Sequence, residues 1–166
     1  MKTLVTTLLF AVLAVPCPAD DAAAPPNQGT QSIPADFSFD GVWKPKGAML
    51  SGVLLPPPAL EAITLTIAGD RYEVTVIGED HSDAGIFLLD ETVTPHRMVI
   101  KSESGPNKGK IILAIYEIKG PNAMRACYDL SGAAFPTEFK APKETQLYVA
   151  GYRRQVDVPQ TEEESQ

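Results

Sequence analysis

The side chains able to do chemistry are few in this chain, and they are scattered. His81 stands in Glu79-Asp80-His81-Ser82-Asp83, where one imidazole among carboxylates could bind a divalent metal or act as a general base. No second His follows at ligand spacing, so the segment reads as a solvated polar loop and no metal site is expected. His96, between Pro95 and Arg97, reads as the first residue of a strand. Cys127 lies in Met124-Arg125-Ala126-Cys127-Tyr128 with no His nearby, which predicts a small buried hydrophobe and not a nucleophile. Glu117 falls in a central strand and Glu138 in a late connection. Two carboxylates could form an acid–base pair, but nothing fixes their separation, and surface charge is the simpler reading. Ser51-Gly52 and Ser131-Gly132 lack the context of a nucleophile elbow. The segment from Gly105 to Lys110 superficially matches a phosphate loop. It is one residue short, no Ser or Thr follows Lys110, and it opens a strand instead of a helix, so it reads as a positively charged turn. No catalytic residue and no cofactor is assigned, and the chain is not expected to be an enzyme.

Composition narrows the partners. The chain has 14 Lys and Arg against 21 Asp and Glu, a formal charge of −7. An acidic chain without a basic stripe is a poor match for nucleic acid or anionic membrane surfaces. Its first residues read as a secretory signal over 1–19: Lys2 gives a positive start, residues 4–15 an apolar stretch too short to span a bilayer, and Cys17-Pro18-Ala19 a small-x-small cleavage site. Pro16 opposes the lipoprotein reading, in which Cys17 would be acylated and the preceding residue would be Gly, Ala or Ser. Cleavage after Ala19 removes Cys17, leaves Cys127 alone and rules out an internal disulfide. The expected location is therefore periplasmic or extracellular. Residues 20–36, rich in Ala, Pro, Asn and Gln, read as a disordered linker, and 155–166 as an acidic, disordered tail. No later segment is long and apolar enough to cross a membrane as a helix.

Between them, residues 37–154 read as one domain of short strands. Phe39, Gly41 and Trp43 share a period of two, and Pro45 marks a bend or an edge. Pro56-Pro57-Pro58 before Ala59-Leu60-Glu61-Ala62 suits a single helical turn. Residues 63–68 alternate apolar and Thr, Gly69-Asp70 turns the chain, and Tyr72, Val74 and Val76 share the next face. Further strands are expected at 84–89, 98–100, 111–118, 123–128 and 145–154, joined by Gly, Pro and Asn turns. Short connections between consecutive strands predict an all-β fold, a single antiparallel up-and-down barrel of about eight strands. Its inner face is expected to carry Ile63, Leu65, Ile67, Tyr72, Val74, Val76, Met98, Ile100, Leu113, Ile115, Leu147 and Val149.

Several segments in order match a family pattern: Gly41-Val42-Trp43, Leu65-Thr66-Ile67 with Gly69-Asp70, Tyr72-Glu73-Val74, Gly85-Ile86-Phe87, Gly105 to Lys110, Ile115-Tyr116-Glu117 and Pro136-Thr137-Glu138-Phe139. Over about residues 41–154 the chain resembles the uncharacterised lipocalin-like domains abundant in planctomycete bacteria. It departs from them at Pro45 and Pro56 to Pro58. The resemblance implies a lipocalin-like barrel, commonly exported, and brings no established activity. A looser similarity to lipocalins proper implies that Gly41 and Trp43 close one barrel end against a basic residue of the last strand, Arg153 or its neighbour Arg154, with Arg153 the assigned partner.

These readings converge on a non-catalytic exported binding module. Its expected ligand is small and apolar, held in the barrel by Tyr72, Val74, Met98, Leu113 and Ile115. The other expectation is a filled barrel that meets an exported protein, for instance as an inhibitor of an exported hydrolase.

Overall fold

A computed structural model describes residues 33–35 and 37–156. The signal reading over 1–19, Cys17, nearly all of the linker and most of the acidic tail lie outside the described residues. The chain forms β1 (Gly41–Leu50), β2 (Val53–Leu54), α1 (Pro57–Ala62), β3 (Ile63–Ala68), β4 (Arg71–Val76), β5 (Asp83–Asp90), β6 (His96–Ser102), β7 (Ile111–Gly120), β8 (Ala123–Asp129) and β9 (Leu147–Arg154). From β3 onward each strand pairs antiparallel with the next, and β9 returns to pair with β1. The result is a closed, antiparallel, eight-stranded barrel, with the two-residue β2 hung on the free edge of β1.

Alternation decides the faces. On β3, Leu65 and Ile67 are buried and Thr66 is exposed; on β6, His96, Met98, Ile100 and Ser102 are buried and Arg97 and Lys101 are not. This is the period of a pleated strand with one face on a core. β1 meets β3 only through Gly41, Val42 and Trp43. Beyond Trp43 the two strands part, and β2 and α1 occupy the space. Lys44 bridges the gap, donating to the Glu61 carbonyl at 3.1 Å and to Thr64 Oγ1 at 2.7 Å. Pro45, which has no N–H to give, sits at a register shift between Pro45 and Gly47 in the β1–β9 ladder. The Pro-rich stretch before β3 forms the short helix that the sequence suggests. At Gly85 a Cβ would lie 2.0 Å from the Lys101 carbonyl oxygen, so only glycine allows β5 to approach β6 this closely.

One barrel end is closed by aromatic side chains. Phe39 precedes β1 and does not belong to it. Its ring packs edge-on against Phe37 (centroids 5.0 Å apart), Tyr116 (5.3 Å) and Phe87 (6.1 Å). Trp43 is fully buried beneath it and donates its indole N–H to the Phe39 carbonyl at 2.8 Å. The basic partner of Trp43 is Arg154, not Arg153: its guanidinium carbon lies 4.5 Å from the indole centroid and 5.7 Å from that of Phe37. It also donates to the carbonyls of Ser38 and Asp40. The register explains the correction. Trp43 pairs with Arg154, while Arg153 pairs with Lys44 and points to solvent. Gly41 lies beside the Arg154 side chain and has a φ of +127°, a backbone conformation that residues with a Cβ rarely adopt.

Both faces are buried on β7 and β8. The connection from residue 130 to 146 folds back over their outer side, where Ile115, Cys127 and Glu117 are fully covered. Cys127 Sγ lies 3.4 Å from the Lys140 carbonyl, and the Arg125 guanidinium stacks 4.0 Å from the centre of the Phe139 ring. Asp129 anchors the start of this cover by accepting from the N–H groups of Ser131, Ala133 and Ala134. Arg154→Ala is expected to lower the unfolding free energy by about 2 kcal/mol, through lost charge-assisted hydrogen bonds and ring packing. Arg153→Ala should cost less than about 0.5 kcal/mol, as surface changes do. Urea unfolding followed by Trp43 fluorescence measures both, and equal losses would remove Arg154 from the barrel closure.

Candidate functional site

The barrel interior is not filled. A cavity of about 240 Å³ lies between the aromatic plug and the opposite end, which opens between the β4–β5 turn, the β6–β7 loop and the 130–146 connection. It exceeds the roughly 150 Å³ that holds a benzene-sized molecule in an apolar interior. Ala48 on β1, Ala150 on β9 and Ala126 on β8 pair at one level of the sheet, and of these Ala126 lines the cavity.

Most of the wall is apolar, with Ile63, Leu65, Ile67, Val74, Val76, Met98, Ile100, Ile112 and Met124 all contributing. Tyr72, Val74 and Met98 line it as the sequence reading proposes. Leu113 and Ile115 do not. The inner residues of β7 are Ile112, Ala114 and Tyr116, which places Leu113 and Ile115 on the outer face. Leu147 and Val149 are displaced in the same way, because β9 turns Tyr148, Ala150 and Tyr152 inward.

Polar groups occupy two places in this wall. The first is a set of phenols. The rings of Tyr128 and Tyr148 stack with centroids 5.7 Å apart, and the Tyr128 hydroxyl donates to that of Tyr152 at 3.4 Å. Burial raises the pKa of all three, so they stay neutral far into the alkaline range. The second is a knot at the mouth centred on Asp83. Its carboxylate accepts from Ser102 Oγ at 2.5 Å, from Asn107 Nδ2 at 2.5 Å and from the Tyr72 hydroxyl at 3.3 Å. Burial, reinforced by the nearby carboxylates, pushes the Tyr72 pKa up to about 12. Asn107 comes from the Gly105 to Lys110 turn, whose Lys110 ammonium donates to Asn107 Oδ1 at 3.2 Å from the solvent side. That turn is therefore part of the mouth.

The residues weighed for catalysis do not meet here. His81 is exposed on the β4–β5 loop, 3.2 Å from the Glu79 carboxylate. His96 begins β6 as expected, with Nδ1 3.1 Å from the Val93 carbonyl and its ring 5.4 Å from that of Tyr116. Glu117 is buried on the outer face and not at the surface. Its Oε2 receives the Arg125 guanidinium, with Nε at 2.7 Å and Nη2 at 2.5 Å, and Lys119 pairs with Oε1. Glu138 pairs with Lys140 at 2.6 Å, exposed. Burial pushes the Cys127 thiol up to about 11, away from thiolate reactivity. No cluster of three His, Cys, Asp or Glu able to hold a metal occurs among the described residues.

Sequence reading missed Asp83, Asn107, Tyr128, Tyr148 and Tyr152. The period-two sets Ala126/Tyr128 and Tyr148/Ala150/Tyr152 carry the signal for the phenols, once β8 and β9 are given the correct inner face. A scan of the chain against protein-family models finds no match, and a search of curated proteins finds none.

All five tyrosines of the chain have raised pKa values. Each ionises more readily in the unfolded chain, from about pH 10. Their contribution to stability is therefore complete below about pH 10 and is lost as pH rises toward the raised folded values, about 12 in the case of Tyr72. Phenolate absorbance during alkaline titration should stay flat while the barrel is folded, then rise together with the loss of far-ultraviolet circular dichroism. An early rise with the barrel intact would place the phenols in water.

Proposed function

We propose that this protein is an exported, non-catalytic binding module that holds one small apolar ligand inside its barrel. The cavity is the observation that carries this reading. A closed sheet of this size can fill its interior with its own side chains; here space remains, with the small Ala126 in its wall, and that wall is apolar with a few polar groups at set places. The resemblance to lipocalin-like domains agrees with the eight-stranded closed barrel. The signal-like residues 1–19 support export. The chemistry of the candidate catalytic groups supports the non-catalytic part: Glu117 is neutralised by two cations, the Cys127 thiol is held protonated, and His81 is solvated beside Glu79.

A second reading, a contact with another exported protein, is favoured by one feature. Val53 and Leu54 of β2 and Ile77 after β4 are apolar and exposed near the open end, at 66%, 70% and 77% of their surface. Recovery of a stoichiometric partner that does not depend on the cavity would favour it.

The ligand reading is tested by native mass spectrometry of the protein from its own exported fraction. A reproducible added mass that is released on unfolding is the expected result. A variant gives the residue-level test. Ala126→Phe fills the void and should weaken binding of an environment-sensitive naphthalene dye by about tenfold or more, with the circular dichroism of the barrel unchanged. Undiminished dye binding in the folded variant would move the site out of the barrel.

A further inference from the structure

The cavity has one formal charge in its wall, and that charge is not matched by a cation. Asp83 is the only Asp, Glu, Lys, Arg or His among the lining residues, and burial keeps the phenols neutral. No Lys, Arg or His among the described residues forms an ion pair with it. Lys110, on the turn that lies over it, donates to Asn107 and not to the carboxylate. Glu103, close enough to act on Tyr72, is paired to Arg71 at 3.3 Å, so this neighbouring pair adds no net charge on this side. The knot from Ser102, Asn107 and Tyr72 uses three of the roughly four acceptor sites of a carboxylate. It holds Asp83 in place and leaves acceptor capacity at the cavity mouth.

Resting on the ligand reading above, we propose that the cavity takes an apolar amine, its ammonium seated at Asp83 and its hydrocarbon part among the aliphatic wall and the tyrosines. The matching carboxylic acid is excluded. An anionic head would stand beside an unpaired carboxylate at a half-buried mouth, where like charges repel more strongly than in bulk water. An ammonium gains that same field. It also gains from the tyrosine rings, whose faces attract cations. The chain's formal charge of −7 favours approach of a cation in the same sense.

The test uses three ligands of equal chain length, octylamine, octanol and octanoate, titrated calorimetrically into the protein at neutral pH. Octylamine, protonated there as a lysine side chain is, should bind at least about tenfold more tightly than octanoate, a difference of 1.4 kcal/mol, with octanol between them. Asp83→Asn should bring octylamine to within about twofold of octanol. Because Asp83 also ties the mouth together, a second comparison needs no variant: N-octylacetamide, which keeps the chain and removes the charge, should lose the amine's advantage. Octanoate binding as tightly as octylamine overturns the proposal, and so does an advantage that survives in N-octylacetamide or in folded Asp83→Asn. Octanol binding without any preference for the amine leaves the ligand-binding cavity standing and removes the charge selection alone. Failure of all the ligands to bind removes both.

Discussion

The pairing of β9 with β1 is the constraint on which the rest of this structure depends. A meander of short antiparallel strands has two edges, and each is a row of unpaired N–H and C=O groups. Bringing Trp43 through Leu50 against Tyr148 through Arg154 removes both at once. It also brings residues distant in sequence around one axis, so that Tyr72 on β4 and Tyr152 on β9 line the same space. The closure is not uniform. β1 and β3 share only three register pairs, and a Pro-rich segment that cannot join a ladder is used as a short helix to cover the gap. Arg154 secures the end where the pairing is complete, through cation–π contacts to Trp43 and Phe37 and hydrogen bonds to the strap before β1.

The two ends of the barrel then differ in kind. At one, Phe37, Phe39, Trp43 and Tyr116 stack into a plug with no space for a ligand. Toward the other lies the cavity, with Ala126 and the rings of Tyr128, Tyr148 and Tyr152 in its wall. Their rings are rigid, and their hydroxyls are tied to one another. A buried hydroxyl costs free energy unless it is hydrogen bonded, and the Tyr128–Tyr152 pair meets that requirement within the wall.

How much of this was legible follows from which strands are buried on one side. β3, β4 and β6 have one wet face, so alternation of Thr, Glu, Arg and Lys with apolar residues reveals both the strand and its inner side. The barrel, Tyr72, Val74 and Met98 were readable for that reason. β7 reads Ile111-Ile112-Leu113-Ala114-Ile115-Tyr116, apolar at every position, because the 130–146 connection buries its outer face as well. Periodicity cannot choose between two apolar faces, and the bulkier set, Leu113 and Ile115, proved to be the outer one. The small inner residues Ala114, Ala126 and Ala150 carry little hydrophobic signal, yet all three face the core and Ala126 lines the cavity. Arg153 and Arg154 are adjacent and chemically identical, and only the register with Trp43 tells them apart. Phe39 shares the period of Gly41 and Trp43 but folds across the barrel end, a bend that no local pattern announces.

Asp83 joins the architecture to the chemistry of the mouth. It is the first residue of β5, and the Ser102 that donates to it is the last residue of β6, so the bond staples the ends of two paired strands. Asn107 extends the staple into the β6–β7 turn, which is also held by the backbone bonds from Gly109 N–H to Ser102 and from Ser102 N–H to Lys110. A neutral side chain with the same hydrogen-bonding pattern could perform this structural task. A carboxylate adds a charge that the surrounding wall, with its neutral phenols and aliphatic groups, does nothing to cancel. An unpaired charge beside an apolar space is costly unless water or a partner solvates it. Placing it at the open end, half-buried, limits that cost while the cavity is empty, and leaves the field of the carboxylate directed at whatever enters.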